Sequence, residues 1–268
     1  MNYIKMSPLT GMVGYGGGGT GLTFNSSAAG AGWLGDRGLW MGGYVSGVGS
    51  SATCQYVAIT TAGNASTFGN LTTAANAGCG FAGGGRGIHC GGSVSGGYGS
   101  QIDYLPIANT GNASSFGTLL AGVYMPEGCS NGTRGLTTGG LDTSHGDNSN
   151  TDIWFLTVAS TGNATDFGDI AQRTMKHGCM ANATKGFIIG GDHRGESTRY
   201  GPERYYVTID TTSNTSDMSD LDYNKYGMTS SSDETRGLHA QQKSDGSATD
   251  VLSYFDMENN GIATTFGQ

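Results

Sequence analysis

The sequence predicts an all-β protein built from five consecutive copies of one unit, each containing four short strands. Three observations predict this fold class. Short sequence markers recur at a nearly constant spacing, Gly makes up 50 of the 268 residues while Pro makes up only 4, and no copy contains a helix-length segment with apolar residues at the helical period. A Gly-rich chain with recurring β-formers is typical of many strands joined by tight turns, because Gly adopts positive φ without steric cost.

The repeat is visible in three markers that keep one phase. A cation followed by Gly recurs at intervals of 49, 48, 51 and 51 residues. The cations are Arg37, Arg86, Arg134, Lys185 and Arg236. A Phe-Gly pair recurs at Phe68, Phe116, Phe167 and Phe266, and Met218 takes the same place in the fourth copy. Gly-Gly pairs at 42–43, 91–92, 139–140 and 190–191 follow the same phase, so we expect five structural repeats.

Each copy divides into four strands. The first opens near a Gly-Cys pair, the second is the "RGLWMGG" type of segment, the third is rich in aromatic and β-branched residues, and the fourth begins at the phrase "NAxxFGxL". Four strands in a unit of about 50 residues is the spacing of a propeller blade. Because packing blades into a ring covers both faces of every sheet, we predict a five-bladed β-propeller over residues 22–268.

The two ends of the chain predict how this ring closes. The last copy stops at Gln268, before the apolar residue that follows the phrase in other copies, and the segment from Leu22 matches what comes after that residue. We therefore expect the break to fall inside one blade, with Leu22 beside Gln268 and the N- and C-terminal segments closing the ring. Residues 1–21 lie outside the repeats and are interpreted as either a Gly-rich docking arm or a disordered terminus.

Composition argues against several classes of protein. The net charge is −8 with only 13 Lys and Arg residues, which argues against binding to nucleic acid or to an anionic membrane surface. No apolar run approaches the roughly 20 residues of a membrane-spanning helix, and no secretory signal is recognisable. Three of the five cysteines follow a Gly one repeat apart, so we expect reduced, structural thiols. They are Cys79, Cys129 and Cys179.

The Asn of the recurring phrase has two interpretations. It begins an N-x-Ser/Thr sequon in four copies, and in three of them it also follows a Gly, as is typical of a turn. The four residues are Asn64, Asn112, Asn163 and Asn214. Because they follow the repeat, we interpret them as turn residues between the third and fourth strands rather than glycan acceptors. The Phe of the phrase is expected to plug the gap between blades.

These repeats resemble kelch-like propellers, in which a short apolar strand ends in Gly-Gly and an aromatic strand follows. The paired Tyr and Trp of the standard kelch pattern are missing, and the phrase "NAxxFGxL" is an addition. The size of the repeat set also resembles tachylectin-like five-bladed lectins, without a matching sugar-site motif. Composition and the phrase together are most similar to propeller proteins of tailed bacteriophages. That resemblance covers residues 22–268 and implies a place on a tail fibre, a receptor-binding tip or the capsid.

Two polar connections, 141–152 and 192–204, are the candidates for a metal site. Asp142, His145, Asp147 and Asp152 could gather Ca²⁺ or a transition metal, but they match no ligand motif. A solvated loop is therefore the favoured interpretation, and no cofactor is expected. The second connection, with Asp192, His193 and Glu196, has no stronger pattern.

Catalytic patterns are weak throughout the sequence. His177 near Cys179 suggests a Cys–His nucleophile, but Cys179 occupies a repeat position and no orienting group is apparent. His89 and His239 share one repeat position, which favours packing. The S-x-D-x-G-x-T-W motif of sialidase-type propellers is missing. We therefore predict that the protein is not an enzyme.

The five repeat-phased cations have a functional and a structural interpretation. Together they could bind an anionic glycan or a carboxylate of a partner around one rim. Alternatively, each could pair with a carboxylate or a backbone carbonyl of the next blade. The structural interpretation is favoured because the cations follow the period of the fold.

A binding surface is expected on one face of the ring, which we call the loop face. The connections between the second and third strands, and those between successive blades, emerge there, and aromatic and hydrogen-bonding side chains on such loops suit a glycan or protein partner. The candidate binding residues are Tyr124, His145, Asp147, Arg173, His177, His193, Arg194, Tyr200, Tyr223, Lys225 and Tyr226.

The expected function is that of a non-enzymatic virion protein, present in several copies, that mediates host-surface attachment or decorates the particle. It would assemble in the host cytoplasm without a signal peptide and would contact other virion proteins, with residues 1–21 as one docking segment. A cellular propeller lectin or protein-interaction scaffold is the alternative. A glycan-degrading enzyme is the third candidate.

Overall fold

A computed structural model describes residues 22–23, 37–142, 145–146, 148–221, 225–243 and 248–267. These residues form strands, turns and connecting segments without a helix, so none of them belongs to a helix that could cross a membrane. Four of the expectations concern residues outside the described ones. They are the arm 1–21, Asp147, Tyr223 and Gln268.

Five four-stranded antiparallel sheets form the blades of a five-bladed β-propeller, which confirms the predicted fold class. Blade 1 contains β1 (Leu22–Thr23), β2 (Arg37–Val45), β3 (Gly49–Ala58) and β4 (Ser66–Ala75). Blade 2 contains β5 (Cys79–Gly83), β6 (Arg86–Cys90), β9 (Gln101–Pro106) and β10 (Ser114–Thr118), with a small hairpin, β7 (Ser93–Val94) and β8 (Gly97–Tyr98), between its second and third strands.

The remaining blades keep the same order. Blade 3 contains β11 (Glu127–Ser130), β12 (Arg134–Thr138), β13 (Asn150–Thr157) and β14 (Thr165–Thr174). Blade 4 contains β15 (Gly178–Ala181), β16 (Lys185–Ile189), β17 (Arg204–Thr208) and β18 (Ser216–Asp217). Blade 5 contains β19 (Lys225–Ser232), β20 (Arg236–Lys243), β21 (Ala248–Asp256) and β22 (Thr264–Gly267). The four strands predicted in each copy are therefore confirmed.

The first strands meet around the axis of the propeller. Contacts connect β1 with β5, β5 with β11, β11 with β15 and β15 with β19. This crowding favours small side chains, and Cys79, Cys129 and Cys179 are all buried there. All five cysteines are buried and free, as the repeat phase predicts.

Apolar packing between neighbouring sheets forms the core. One cluster joins Phe81 and Ile88 of blade 2 to Trp154 and Leu156 of blade 3. Another places Phe187 of blade 4 against Phe255 of blade 5, with ring centroids 5.3 Å apart. Burying aromatic side chains of this size from both sheets supplies the main hydrophobic stabilisation of each blade interface.

The Phe-Gly phrase is explained by the contact between one blade and the next. The ring of Phe116 is buried and packs edge-on against Tyr104. Gly162, in the turn of blade 3, donates its backbone N–H to the carbonyl of Phe116 at 2.8 Å. A Cβ added to Gly117 would overlap the carbonyl oxygen of Gly162, so this close approach requires Gly.

The Asn of the phrase acts across the same interface rather than on its own turn. Asn163 Oδ1 accepts the backbone N–H of Thr118 at 3.1 Å, and Asn214 Oδ1 accepts that of Asp169 at 2.9 Å. Asn112 repeats the contact with Asn70 of blade 1. The interpretation of these Asn residues as structural is confirmed. They lie in the turns between the third and fourth strands, as predicted, and each side-chain oxygen accepts a backbone N–H of the preceding blade.

The last copy departs from this pattern. The expectation that the Phe plugs a gap between blades is confirmed at Phe68, Phe116, Phe167 and the equivalent Met218, which are all buried. It is wrong at Phe266, which is 55% exposed. Each buried Phe is covered by a turn of the following blade. At Gly267, by contrast, an added Cβ would meet no atom within 4 Å.

The position of Leu22 also differs from the repeat phase. Leu22 pairs with Trp40 as the first strand of blade 1, rather than extending the last strand of blade 5. The break therefore falls between blades 5 and 1 and not inside a blade.

The two environments of the repeated Phe make a matched pair. We expect Phe116→Ala to lower the free energy of unfolding by about 3–5 kcal/mol, because it removes a buried ring. Phe266→Ala, at the equivalent position in the last copy, should cost about 0.5 kcal/mol because the ring is largely solvated. Urea denaturation followed by circular dichroism measures both values. Equal losses in the two variants would contradict the difference in burial.

Candidate functional site

The Gly-Gly pairs at the ends of the second strands turn the chain out of the sheets and into the loops of the loop face. Gly139 and Gly140 have φ of 55° and 105°, and Gly190 and Gly191 have φ of 56° and 123°. A Cβ on Gly139 would overlap the carbonyl oxygen of Thr174. Gly is needed here because the chain turns in a left-handed conformation while passing close to a neighbouring strand.

Connections between blades pair with the loop of the following blade. Tyr124 and Leu141 exchange backbone hydrogen bonds of 2.8 and 2.7 Å, and Met175 and Asp192 exchange bonds of 3.0 and 2.8 Å. Each of these pairs is one isolated rung of β-structure. The loop face is therefore attached to the scaffold by backbone contacts at regular intervals.

The two longest loops touch each other. Both the backbone N–H and the Oγ hydroxyl of Ser149, in the loop of blade 3, donate to the carbonyl of Arg194 in the loop of blade 4, at 3.1 and 2.9 Å. Ser149 is buried, whereas the Arg194 side chain is exposed. The two loops thus form one surface, which we call the loop platform: residues 141–142, 145–146, 148–149 and 192–203.

Arginine and tyrosine side chains cover this loop platform. Arg199 makes a two-point contact with the buried carboxylate of Asp192, both distances being 3.0 Å, and its guanidinium lies 5.3 Å from the ring centroid of Tyr200. Beside the platform, Arg173 pairs with Glu196 at 2.9 Å. Ion pairs and stacking of this kind hold the long side chains in defined positions.

Beside these groups, the loop of blade 3 gathers carboxylates around a histidine. His145 Nδ1 lies 2.9 and 3.0 Å from the two oxygens of Asp142, and the Asn150 amide donates to Asp142 Oδ2 at 2.9 Å. One ligand atom each of Asp142, His145 and Asp152 lies within 4.8 Å of the others. Asp142 is only 1% exposed, whereas His145 and Gly146 of the same segment are exposed to solvent.

Electrostatics around Asp152 reflect this crowding. Burial raises the pKa of the Asp152 carboxyl, and the negative charges of Asp142, Asp169 and Asp166 raise it further. The nearby imidazole of His145 lowers the pKa in part. The cluster therefore concentrates negative charge beside one partly exposed histidine.

The Cys–His pair lies in the interior of the protein. His177 is fully buried and its Nε2 lies 2.8 Å from Thr138 Oγ1, which is also 3.7 Å from the sulfur of Cys179. Burial, with a smaller contribution from His193, lowers the pKa of His177 to about 3. Within this structure, His177 contacts Thr138 directly, and the sulfur of Cys179 lies on the far side of that hydroxyl group.

The structure divides the predicted binding residues into groups. Arg194 and His145 are exposed, and Tyr124, Arg173 and Tyr200 are half-buried on the loop face, where Tyr124 stacks on Tyr98. His177 and His193 are buried, so they belong to the interior and not to a contact surface. Lys225 and Tyr226 begin β19, and their side chains lie outside the described residues, as do Tyr223 and Asp147.

Sequence reasoning missed several members of the loop face. Arg199, Ser149 and Asn150 were not predicted, because each acquires its role from a partner in the folded loops. The only sequence signal is their position in the two longest polar connections. The blade 1 hairpin was also missed, although it exposes Tyr44 and Val48 on the same face.

The repeat-phased cations are structural, as favoured from their period. Arg37, Arg86, Arg134 and Lys185 each donate to a backbone carbonyl of the following blade, at 2.9 to 3.0 Å. Each also lies over an aromatic ring of its own third strand, as does Arg236 over Tyr254. These contacts link successive blades on the face opposite the loop face.

Comparison with known proteins assigns this chain to no family. No family model matches the chain, and no curated protein sequence matches it. The fold and the loop face therefore provide the basis for a functional proposal.

Buried histidines predict a specific response to pH. His89 is buried, and burial lowers its pKa to about 4. As the pH falls below about 6.5, the unfolded chain binds a proton that the folded His89 refuses, so stability decreases by up to about 1.4 kcal/mol per pH unit until the folded pKa is reached. Equivalent positions in blades 1 and 4 hold Trp40 and Ile188. Urea unfolding of the wild type and of His89→Ile between pH 7 and 4 should show that the free energy of unfolding falls less steeply with decreasing pH in the variant. Parallel pH profiles would contradict the assignment.

Proposed function

We propose that the protein is a non-enzymatic binding propeller, and more specifically a virion protein whose loop face attaches to a host surface or to another part of the particle. One observation carries this proposal. The two longest loops are joined through Ser149 and Arg194 into one surface, so their side chains are displayed on a scaffold and not on independent loops.

The chemistry of this loop platform favours a glycan or an acidic protein segment as the partner. Arg194 is exposed on it, and Arg199 lies over the ring of Tyr200. Guanidinium groups bind carboxylates and hydroxyls through several hydrogen bonds, and a tyrosine ring offers an apolar face with a polar end. These groups suit a saccharide surface that carries hydroxyl and carboxylate groups.

The interior supports a binding role over catalysis. The Cys–His pair, which was the strongest catalytic pattern in the sequence, is buried, and His177 has a strongly lowered pKa. His193 is also buried, with its Nε2 3.7 Å from Glu203. Both histidines therefore act as packing groups beneath the loop face.

The virion assignment rests on the resemblance of the phrase "NAxxFGxL" and of the Gly-rich composition to propellers of tailed bacteriophages. A compact propeller with a displayed loop face suits a tail fibre, a receptor-binding tip or a capsid decoration, present in several copies and assembled in the host cytoplasm. Residues 1–21 are proposed to dock onto other virion proteins. A cellular lectin or interaction scaffold would use the same loop face, and a glycan-degrading enzyme would require turnover of a polysaccharide.

Particle composition tests the virion assignment. We expect mass spectrometry of gradient-purified particles from the source to detect this chain at a fixed ratio to the capsid protein, because a structural component has a defined copy number. Protease treatment of intact particles should leave the chain undigested only if the chain is internal to the particle. Recovery of the chain solely from the cell lysate would contradict the virion assignment and favour a cellular lectin or scaffold.

Surface variants test the loop face directly. We expect Arg194→Ala and Tyr200→Ala to reduce binding of the labelled protein to host cells at least 10-fold in flow cytometry, since both remove side chains from the loop platform. The Arg194 carbonyl that holds Ser149 is retained in the first variant. Thr110→Ala, an exposed position in the turn on the opposite face, is the control and should bind normally.

The binding measurement is interpreted together with the thermal stability of each variant. All three variants should have melting temperatures within 2 °C of wild type, which is the margin we set for an undisturbed fold. Undiminished binding by both platform variants, with the fold intact, would contradict the loop face as the contact surface.

A further inference from the structure

A second site is indicated where the loop of blade 3 leaves the sheet. Asp142, His145 and Asp152 each place one ligand-type atom within 4.8 Å of the others. The carboxylate of Asp142 is buried, while the His145 side chain is 40% exposed and gives access from solvent. Asp152 forms no ion pair with Lys or Arg within the described part of the chain.

Asn150 gives an independent indication of a ligand. Its side chain is 1% exposed, and its Nδ2 donates to Asp142 Oδ2 at 2.9 Å. Its Oδ1 is buried and has no hydrogen-bond partner among the described residues. An unsatisfied buried carbonyl oxygen costs about 1–3 kcal/mol, so a native structure rarely leaves one without reason. A cation held beside Asp142 would supply the missing interaction.

We propose that Asp142, His145, Asp152 and Asn150 bind one divalent transition-metal ion of the Zn²⁺ type. The donor set combines an imidazole nitrogen with carboxylate and amide oxygens, which suits first-row transition ions. Ca²⁺ requires six to eight oxygen ligands, whereas His145 contributes a nitrogen. This inference does not depend on the proposed function.

The geometry needs only side-chain adjustment. Two donors on a tetrahedral zinc ion lie roughly 3.3 Å apart, and the three ligand atoms already lie within 4.8 Å of one another. His145 now directs Nδ1 at the Asp142 carboxylate. Ligation through the Nδ1 lone pair places the ring proton on Nε2. The ion then lies between the imidazole and the carboxylate.

Alternative zinc ligands are less accessible. The other four histidines, His89, His177, His193 and His239, are buried, and so are all five cysteines. Among the residues that the structure describes, His145 is thus the one histidine with an exposed ring. An ion at this site would hold the loop of blade 3 in place, since Ser149 of the same loop contacts the loop of blade 4.

Isothermal titration of the metal-free full chain with Zn²⁺ tests the site. We expect one ion per chain, affinity reduced at least 10-fold in both Asp152→Asn and His145→Ala, and Ca²⁺ binding at least 100-fold weaker than Zn²⁺. Glu196→Gln, which removes a carboxylate from the neighbouring loop, is the matched control and should bind Zn²⁺ like wild type. Asp152→Asn is isosteric, and its metal-free melting temperature checks the fold.

Co²⁺ provides a second readout. Its visible absorption spectrum should report mixed nitrogen and oxygen ligation in wild type, and this spectrum should change in His145→Ala. Failure of the wild type to bind Zn²⁺, equal Zn²⁺ affinity in wild type and both site variants, or tighter binding of Ca²⁺ than of Zn²⁺ would each overturn the proposal.

Discussion

The contact between the Phe-Gly strand of one blade and the Gly-Asn turn of the next is the constraint on which the ring depends. In this contact a buried ring, a backbone hydrogen bond and an Asn side chain act at one place, as at Phe116, Gly162 and Asn163. Because the backbones approach without room for a Cβ at Gly117, the contact restricts sequence as well as geometry. The recurrence of the phrase follows from this requirement for close approach.

The cation of each of the first four repeats strengthens the same interface from the second strand. Arg134, for example, lies over the ring of Phe155 and donates to the carbonyl of Ile209 in the next blade. Such a charge-assisted bond satisfies a carbonyl just beyond the end of a strand. With apolar packing between the sheets, these links form a rigid frame. The loops opposite are consequently free to vary in length and composition without cost to the core.

The loop face shows what this frame makes possible. Residues from separate stretches of sequence, such as Ser149 and Arg194, meet because blades 3 and 4 are neighbours in the ring. The same adjacency buries His177 and His193 beneath the surface and leaves Arg194 exposed above it. The binding role proposed for this face and the metal site proposed at Asp142 both depend on loops held by a scaffold rather than on a short sequence motif.

The sequence by itself determined the number of blades, their strands and the structural nature of the cations and cysteines. Each of these depends on a contact that recurs in several repeats, and a recurring contact leaves a recurring pattern. The tertiary structure alone decided the partner of each Asn, the exposure of Phe266 and the pairing of Leu22 with Trp40. It also decided which polar loop residues meet, since Asp142, His145 and Asn150 occur once and have no repeat to reveal them. A pattern reports interactions that are repeated along the chain, whereas a site made once is defined only by distances in the folded molecule.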